Sequence, residues 1–445
     1  MAYCCSFTAD NDNLNHKRTS LHKTSLVISM LLLVVIVGIG TAMVPFCLAE
    51  ESSMDQDEPG AAIIMEDNAV FQNNRSGIRV RGSLPVAIRG GKIYRNGRAG
   101  LNLQDQAEIS VRRCDIFANH NAGINLRNAS RLRLTDSTIH QNGTAGLRIR
   151  TAAGQIFPAR VEISGNRIFR NRQDGVLSWP AGEAPVELTI RNSRIFANRK
   201  AGLRVENTTR LVAADNRIRS NGTAGISSWS SGASVPRLDI HRNTIAFNRG
   251  SGINVDAGIT GKGAISNNWI HNNLRAGIAC GILGTSGTPR IDLRILNNTI
   301  VGNGSEEEGA GIRSDAGSDV LILNNIIAYN FTTGILTTDC GSYSHNLLFA
   351  NGEAPNCCAD QDEIPFWIEK IQYASCSGRG SGGLITDPRF VDPDRYNFFL
   401  QPDSPARNAG TNIYHGSGFL SSGIDMGATG GPHAFRPETG PEETR

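Results

Sequence analysis

Aromatic residues are scarce in this chain, at only 6% of 445 positions, whereas glycine occurs 49 times. So ring-poor and glycine-rich a composition argues against a compact sandwich or a helical globule, since both need bulky side chains for a broad core. Net charge is also small. The formal value of +3 implies no field for binding a polyanion. Lysine is nearly absent. Lys17, Lys23, Lys92, Lys200, Lys262 and Lys370 are the six, and the other 38 basic residues are arginine. Arginine suits bidentate contact with carboxylates and phosphates, although biased codon usage gives the same count. Convincing zinc spacing is missing too. Cys114 and Cys280 stand alone, and Cys340, Cys357, Cys358 and Cys376 cluster without a ligand pattern. In an exported protein, one or two disulfides in that cluster are the expectation, with the pairing open.

The N-terminus holds one long apolar run, Leu26 to Val44, after a basic stretch with Lys17, Arg18 and Lys23. Two readings stay open for residues 1–49: a cleaved signal peptide ending near Ala49, or an uncleaved N-terminal membrane anchor. Both place the body outside the cytoplasm, as a secreted, periplasmic or cell-surface protein. Residues 50–61 read as a polar, acidic linker.

What is present is a repeat. Glycines recur at 77, 100, 123, 146, 175, 202, 225, 252, 277, 311 and 334, at intervals of 23 to 34 residues. Four places before most of them stands an Asn, such as Asn73, Asn96, Asn198 and Asn330, with Asn303 set further back. Three places before each Asn stands Val70 or an isoleucine, such as Ile93, Ile195 and Ile327. Helical solenoids need ten-residue amphipathic segments in each repeat. Here the apolar segments are short and alternate with period two, as in Leu147-Arg148-Ile149-Arg150, so they are strands with one buried face. The regular leucine framework of leucine-rich repeats is also lacking. The spacing therefore predicts an all-β fold, a right-handed single-stranded parallel β-helix of about eleven to twelve coils, over residues 62–352. Stacked Asn amides would hydrogen-bond from coil to coil, and Asn would supply the left-handed turn. Gly would allow the sharp bend into the next strand.

This pattern resembles the right-handed parallel β-helix of the pectin-lyase-like superfamily. The segment from Asp387, DPRFVDPDRYNFFLQPDSPARNAG, and GIDMGATGG from Gly423 resemble the C-terminal part common in secreted bacterial β-helix proteins. That resemblance implies that residues 353–431 close the last coil, with Phe390, Val391, Phe398, Phe399 and Leu400 covering the core, and that 432–445 form a flexible tail. It also implies a sugar-related function, by analogy of fold alone. The Asp-Asp pair followed by Gly-His of polygalacturonases is absent, as is the Asp-Pro-His-Glu of alginate epimerases. Met and His clusters that would suggest metal delivery are lacking. No cofactor and no metal site is expected, apart from calcium at Asp387, Asp392 and Asp425, where turn-forming carboxylates are the alternative.

Strand alternation sorts the residues after each glycine. The positions two and four places on should face outward, which makes one sheet face basic at its N-terminal end. That face carries Trp179 and Trp229, two coils or roughly 10 Å apart, about the repeat of a disaccharide. Trp179, Trp229, Arg150 and Asp315 are the expected substrate-binding residues. Glu206 and Asp256, with Arg204 alongside, are the expected catalytic ones, because acid/base chemistry on a sugar needs paired carboxyl groups. His120, His140 and His271 read as exposed turn residues. The expected function is binding or modification of a polysaccharide, by a lyase, epimerase or glycoside hydrolase if the protein is an enzyme. The alternative is a non-catalytic cell-envelope scaffold or adhesin. The expected partner is a polysaccharide or envelope component, not nucleic acid, and the chain reads as a monomer.

Overall fold

The structure is a computed structural model. It describes residues 63–128, 130–181, 183–230, 236–256, 263–281, 291–305, 309–314, 318–337, 343–352, 382–412 and 423–430, residue 434, and the two-residue strands Cys4–Cys5, Ile36–Val37, Phe46–Cys47 and Tyr373–Ala374. The apolar leader beyond those pairs, the cysteine cluster and the tail lie outside the described residues. Among the described residues, no helix is long and apolar enough to cross a membrane.

Each coil contributes one strand to each of three sheets, which hold 14, 13 and 13 strands when the antiparallel pairs of Cys4–Cys5 and Phe46–Cys47 on the first and Ile36–Val37 on the third are counted. The first sheet runs from Ile63–Glu66 to Tyr343–Ser344, and the second from Ala69–Phe71 through Leu347–Phe349 to Leu384–Ile385. The third carries the glycine-led strands, from Ile78–Arg81 to Thr333–Thr337. Pairing between coils is parallel and in register, for example Leu203 with Ile226 and Glu206 with Trp229. The core is a set of aliphatic columns. Ile116, Ile139, Ile168, Ile195, Ile218, Ile245, Ile270 and Ile300 lie directly above one another and are wholly buried. β-Branched side chains suit such pleated, in-register stacks.

The corner between the second and third sheets holds the expected Asn ladder. Asn198 Oδ1 accepts from both the backbone N (3.1 Å) and Nδ2 (3.0 Å) of Asn171, and Asn198 Nδ2 donates to Ile168 O and to Asn221 Oδ1. A second ladder, unforeseen in the sequence, occupies the corner between the first and second sheets. It runs Cys114, Ser137, Asn166, Ser193, Asn216, Asn243, Asn268, Asn298, Asn325 and Asn346.

Two details of the turns differ from expectation. The left-handed residue is the one before each ladder Asn, not the Asn itself: Arg95, Ala118, Arg170, Ala197 and Ser220 have φ of 52 to 55°. The buried amides hold these strained residues in place. The column glycines are needed for close approach rather than for left-handed φ. A Cβ at Gly225 would stand 2.5 Å from Ile245 Cγ2 and 2.7 Å from Gly252 O.

The C-terminal segment does two things. Leu384–Ile385 extends the second sheet by one strand. Residues beyond it fold back onto the outer face of that sheet. There Phe390, Phe398, Ala406, Met426 and Ala428 form a second apolar cluster with Trp269, Val301, Ile326, Ala328 and Leu347. Asn267 Nδ2 donates to Ala428 O, Asn297 Nδ2 to Asp425 O and Asn324 Nδ2 to Thr411 O. Val391 stays exposed. His271, expected as an exposed turn residue, is buried beneath this segment, stacked on Tyr396 and edge-on to Phe247 and Phe398.

Candidate functional site

The outer face of the third sheet follows the predicted alternation. Leu147 and Ile149 are buried, while Arg148 and Arg150 lie outside. At its N-terminal end the face is a polar ladder. Asn125 Nδ2 donates to Asn102 Oδ1 at 2.7 Å, and Arg148 Nε donates to Asn125 Oδ1 at 3.0 Å. Partial burial pulls the Arg148 pKa down, and the like charges of Arg127 and Arg150 add to that. Three guanidinium groups are thus crowded at one place. The Arg150 guanidinium lies over the Trp179 ring, 5.1 Å from its centroid, a cation–π contact.

Trp179 is 45% and Trp229 38% exposed. Between them in the column stands Glu206, whose strand pairs Glu206 with Trp229. Glu206 is almost wholly buried. Its Oε1 lies 2.7 Å from Arg204 Nε, an ion pair in which the N–H points off the line of centres. Burial pushes the Glu206 carboxyl above its ordinary value; Arg204 opposes this, and a second carboxylate, Asp174, adds to it.

Asp174 is the residue that sequence reading missed. It occupies the position just before the column glycine, where the other coils have Ser76, Ala99, Ala122, Ala145, Ala201, Ala224 or Ser251. It is 2% exposed, and its Oδ1 accepts from the Ala201 backbone N at 3.0 Å. Burial raises its pKa, with the Ala201 hydrogen bond, Arg204 and Lys200 opposing. The signal was available as one acid breaking a small-residue column. Asp174, Arg204 and Glu206 thus form a charged group of two carboxyls and one guanidinium in adjacent coils. Carboxyls with perturbed proton affinity beside an exposed aromatic surface suit acid/base chemistry.

The loop after Trp179 is fastened to the next coil. Asn207, at φ 50°, donates from Nδ2 to Pro180 O, and Thr208 Oγ1 donates to Ala184 O. Thr209 Oγ1 donates to Glu206 O and lies 2.8 Å from Ser178 Oγ. On the other side of Arg150, Ile156 and Phe157 are exposed, at 78% and 55%. The strand Ile253–Asp256 pairs Asp256 with Trp229, so its backbone continues the column. The Asp256 side chain, Asp315 and residues 231–235 and 282–290 lie outside the described residues.

Among the described residues, no three His, Cys, Asp or Glu side chains converge as a metal site would require. Asp387 and Asp392 accept the backbone N–H of Arg389 and Arg395, which is turn-closing chemistry, whereas Asp425 accepts that of Asn408, 17 residues away, and ties two strands of chain together. Cys114 and Cys280 are buried and form no disulfide.

Several solved structures are similar to this chain over part of their length. A crystal structure of the pectate lyase Pel9A superposes with a TM-score of 0.45 at 14% identity, over 78% of this chain and 87% of the lyase. One of the periplasmic alginate epimerase AlgG gives 0.41 at 10% identity, over 65% and 84%. One of the PL6 family alginate lyase AlyGC gives 0.33 at 13% identity, over 77% and 52%. No curated protein matches the sequence. The family described as "Right handed beta helix region" matches residues 55–188 and 161–292. These matches span more than half of the sequence, and the chain belongs to the right-handed beta helix family.

Proposed function

We propose that the outer face of the third sheet binds a polysaccharide, with Trp179 and Trp229 as stacking platforms and Arg150 and the Arg204–Glu206 pair between and beside them. The observation that carries this reading is the pair of exposed indoles, two coils apart and flanking an ion pair in which the Glu206 carboxylate is buried and Arg204 reaches the surface. Flat aromatic faces at about 10 Å separation match alternate sugar rings of an extended chain. Rings held at or just beyond the end of a paired strand lose little entropy on binding. Asp315 extends the same column in sequence and is assigned to the same surface. The apolar leader supports export, which is where such a ligand is met.

Chemistry is the second step of the proposal. Glu206, with its proton affinity raised by burial and by Asp174, is the acid candidate, and Arg204 is the group that would steady developing negative charge. Asp256 would supply the second carboxyl. A lyase, an epimerase and a hydrolase all draw on these groups.

The test is a glycan array with the full chain. Trp179→Ala and Trp229→Ala, both at exposed positions, should each lower binding at least tenfold while leaving the melting temperature within about 1–2 °C. Undiminished binding by the double variant would remove this face from consideration. The reading as a non-catalytic scaffold would gain if no glycan bound and no polymer were cleaved or altered.

A further inference from the structure

The near-neutral net charge conceals a strong segregation. Residues 63–300 hold 33 Lys and Arg against 15 Asp and Glu, whereas residues 301–445 hold 8 against 19. The expectation that no polyanion field exists therefore fails for the body of the solenoid.

The excess cations are not spread evenly. On the first sheet and its corner, several arginines face carboxylates of neighbouring coils, Arg89 with Glu66, Arg133 with Glu162, Arg160 with Glu187 and Arg242 with Asp215, and others such as Arg131, Arg191 and Arg210 stand exposed among these pairs. The opposite corner, between the second and third sheets, is built differently. Its turns expose Arg75, Arg98, Arg172, Arg199, Lys200 and Arg249. Among the described residues, none of the five arginines makes an ion pair. The only carboxylate in these turns between Gln72 and Ser251 is Asp174, which is buried and feels the field of Lys200.

The presentation is rigid and linear. Backbone hydrogen bonds join successive turns, from Arg98 N to Arg75 O (2.9 Å), Asn121 N to Arg98 O (3.1 Å), Thr144 N to Asn121 O (3.2 Å) and Lys200 N to Gln173 O (3.1 Å). Eight coils from Arg75 to Arg249 make a straight ridge of roughly 35 Å at the strand spacing, with cations in five of its turns and none in the turns at Asn121, Thr144 and Thr223.

We infer that this ridge is a second binding surface, separate from the Trp179–Trp229 face, and that its occupant is a linear anionic polysaccharide lying along the solenoid axis. Unpaired guanidiniums in a straight row complement a straight row of anions, and each neutralised anion releases bound counterions. Single-stranded nucleic acid fits less well, because it needs open aromatic faces. The neighbouring rings Phe71, Tyr94, Phe117, His140, Phe169 and Phe196 are stacked on one another at 4.8 to 5.0 Å, so their faces are covered. A bilayer fits less well too. Among the described turns from Arg75 to Arg249, Phe247 alone is an exposed large apolar side chain, and interfacial binding relies on several such groups.

The experiment uses the full chain, with dextran sulfate as the probe and neutral dextran, duplex DNA and vesicles rich in an anionic phospholipid as controls. Dextran sulfate should bind at about 50 mM salt and weaken steeply by about 200 mM. The triple variant R172Q/R199Q/K200Q should lose at least tenfold in affinity, and its salt slope should fall by about two. W179A/W229A should bind dextran sulfate as the parent does, so this site and the proposed polysaccharide face fail independently. Three results would overturn the inference: no binding of dextran sulfate at low salt, unchanged binding by the triple variant, or tighter binding of DNA or vesicles than of dextran sulfate.

Discussion

At the scale of single residues, Asp174 shows how a solenoid marks an exception. Neighbouring coils place Ala or Ser at this position, because the side chain points into a crowded turn. A carboxyl there is desolvated, and burial raises its pKa against the pull of Arg204 and Lys200. The folded group therefore keeps its proton to a higher pH than the unfolded one. Its contribution to stability is full in acid and is lost as pH rises through the raised value. Asp174→Asn retains an amide oxygen for the Ala201 N–H and cannot ionise. Its melting temperature should rise relative to the parent between about pH 4 and pH 7, by about 2–4 °C for each kcal/mol relieved. A parent that gains on the variant over that interval would mean that Arg204 and Lys200 stabilise the charged form more than burial penalises it. The break in the small-residue column was legible in the sequence. The burial of Glu206 was not, since it is set by Trp229 and other residues more than 20 positions away in the chain.

At the scale of the element, the C-terminal segment is held by packing against an outward column that changes character along the second sheet. That column carries Phe71, Tyr94, Phe117, His140, Phe169 and Phe196 in the early coils, then Arg219, Ala246, His271, Val301, Ala328 and, last, Phe349. The smaller residues leave room for Phe390 and Phe398. Sequence alone identified those phenylalanines as core-covering but assigned them to the open end of the last coil. The switch from large to small along one column was the overlooked sign of their actual position. The same packing buries His271, whose pKa is pulled down to about 4 from 6.5. A histidine lowered in this way contributes stability that is complete above about pH 6.5 and is lost as pH falls towards 4. The gap between those two values is worth about 3 kcal/mol. Acidification through that interval should loosen the segment and expose Trp269, which is buried against Phe398 and Phe399. Red-shifted emission with increased acrylamide quenching would report it, and His271→Phe should keep the indole protected at about pH 4.5. Equal exposure in parent and variant would place the acid-sensitive group elsewhere.

At the scale of the whole molecule, each coil touches only the coils above and below, so stability is a sum of local terms carried along one axis. The features that repeat, Ile, Asn and Gly, were legible because each must match its own copy in the next coil. The site and the basic ridge were less legible because they depend on departures from the repeat and on which residues the corners bring together. The one-dimensional design also limits how far damage travels. Asn198→Ala removes the acceptor for Asn171 N and Nδ2 and the donor to Asn221 Oδ1. Leaving buried N–H groups unsatisfied costs about 1–3 kcal/mol each. Because those groups lie in two adjacent coils, amide hydrogen exchange should accelerate around residues 171 to 225 and stay at the parent rate near Asn325 and Asn330, five coils away. Uniform acceleration along the chain would show instead that the coils open as one cooperative block, and that the Asn ladder couples the whole rod rather than its nearest neighbours.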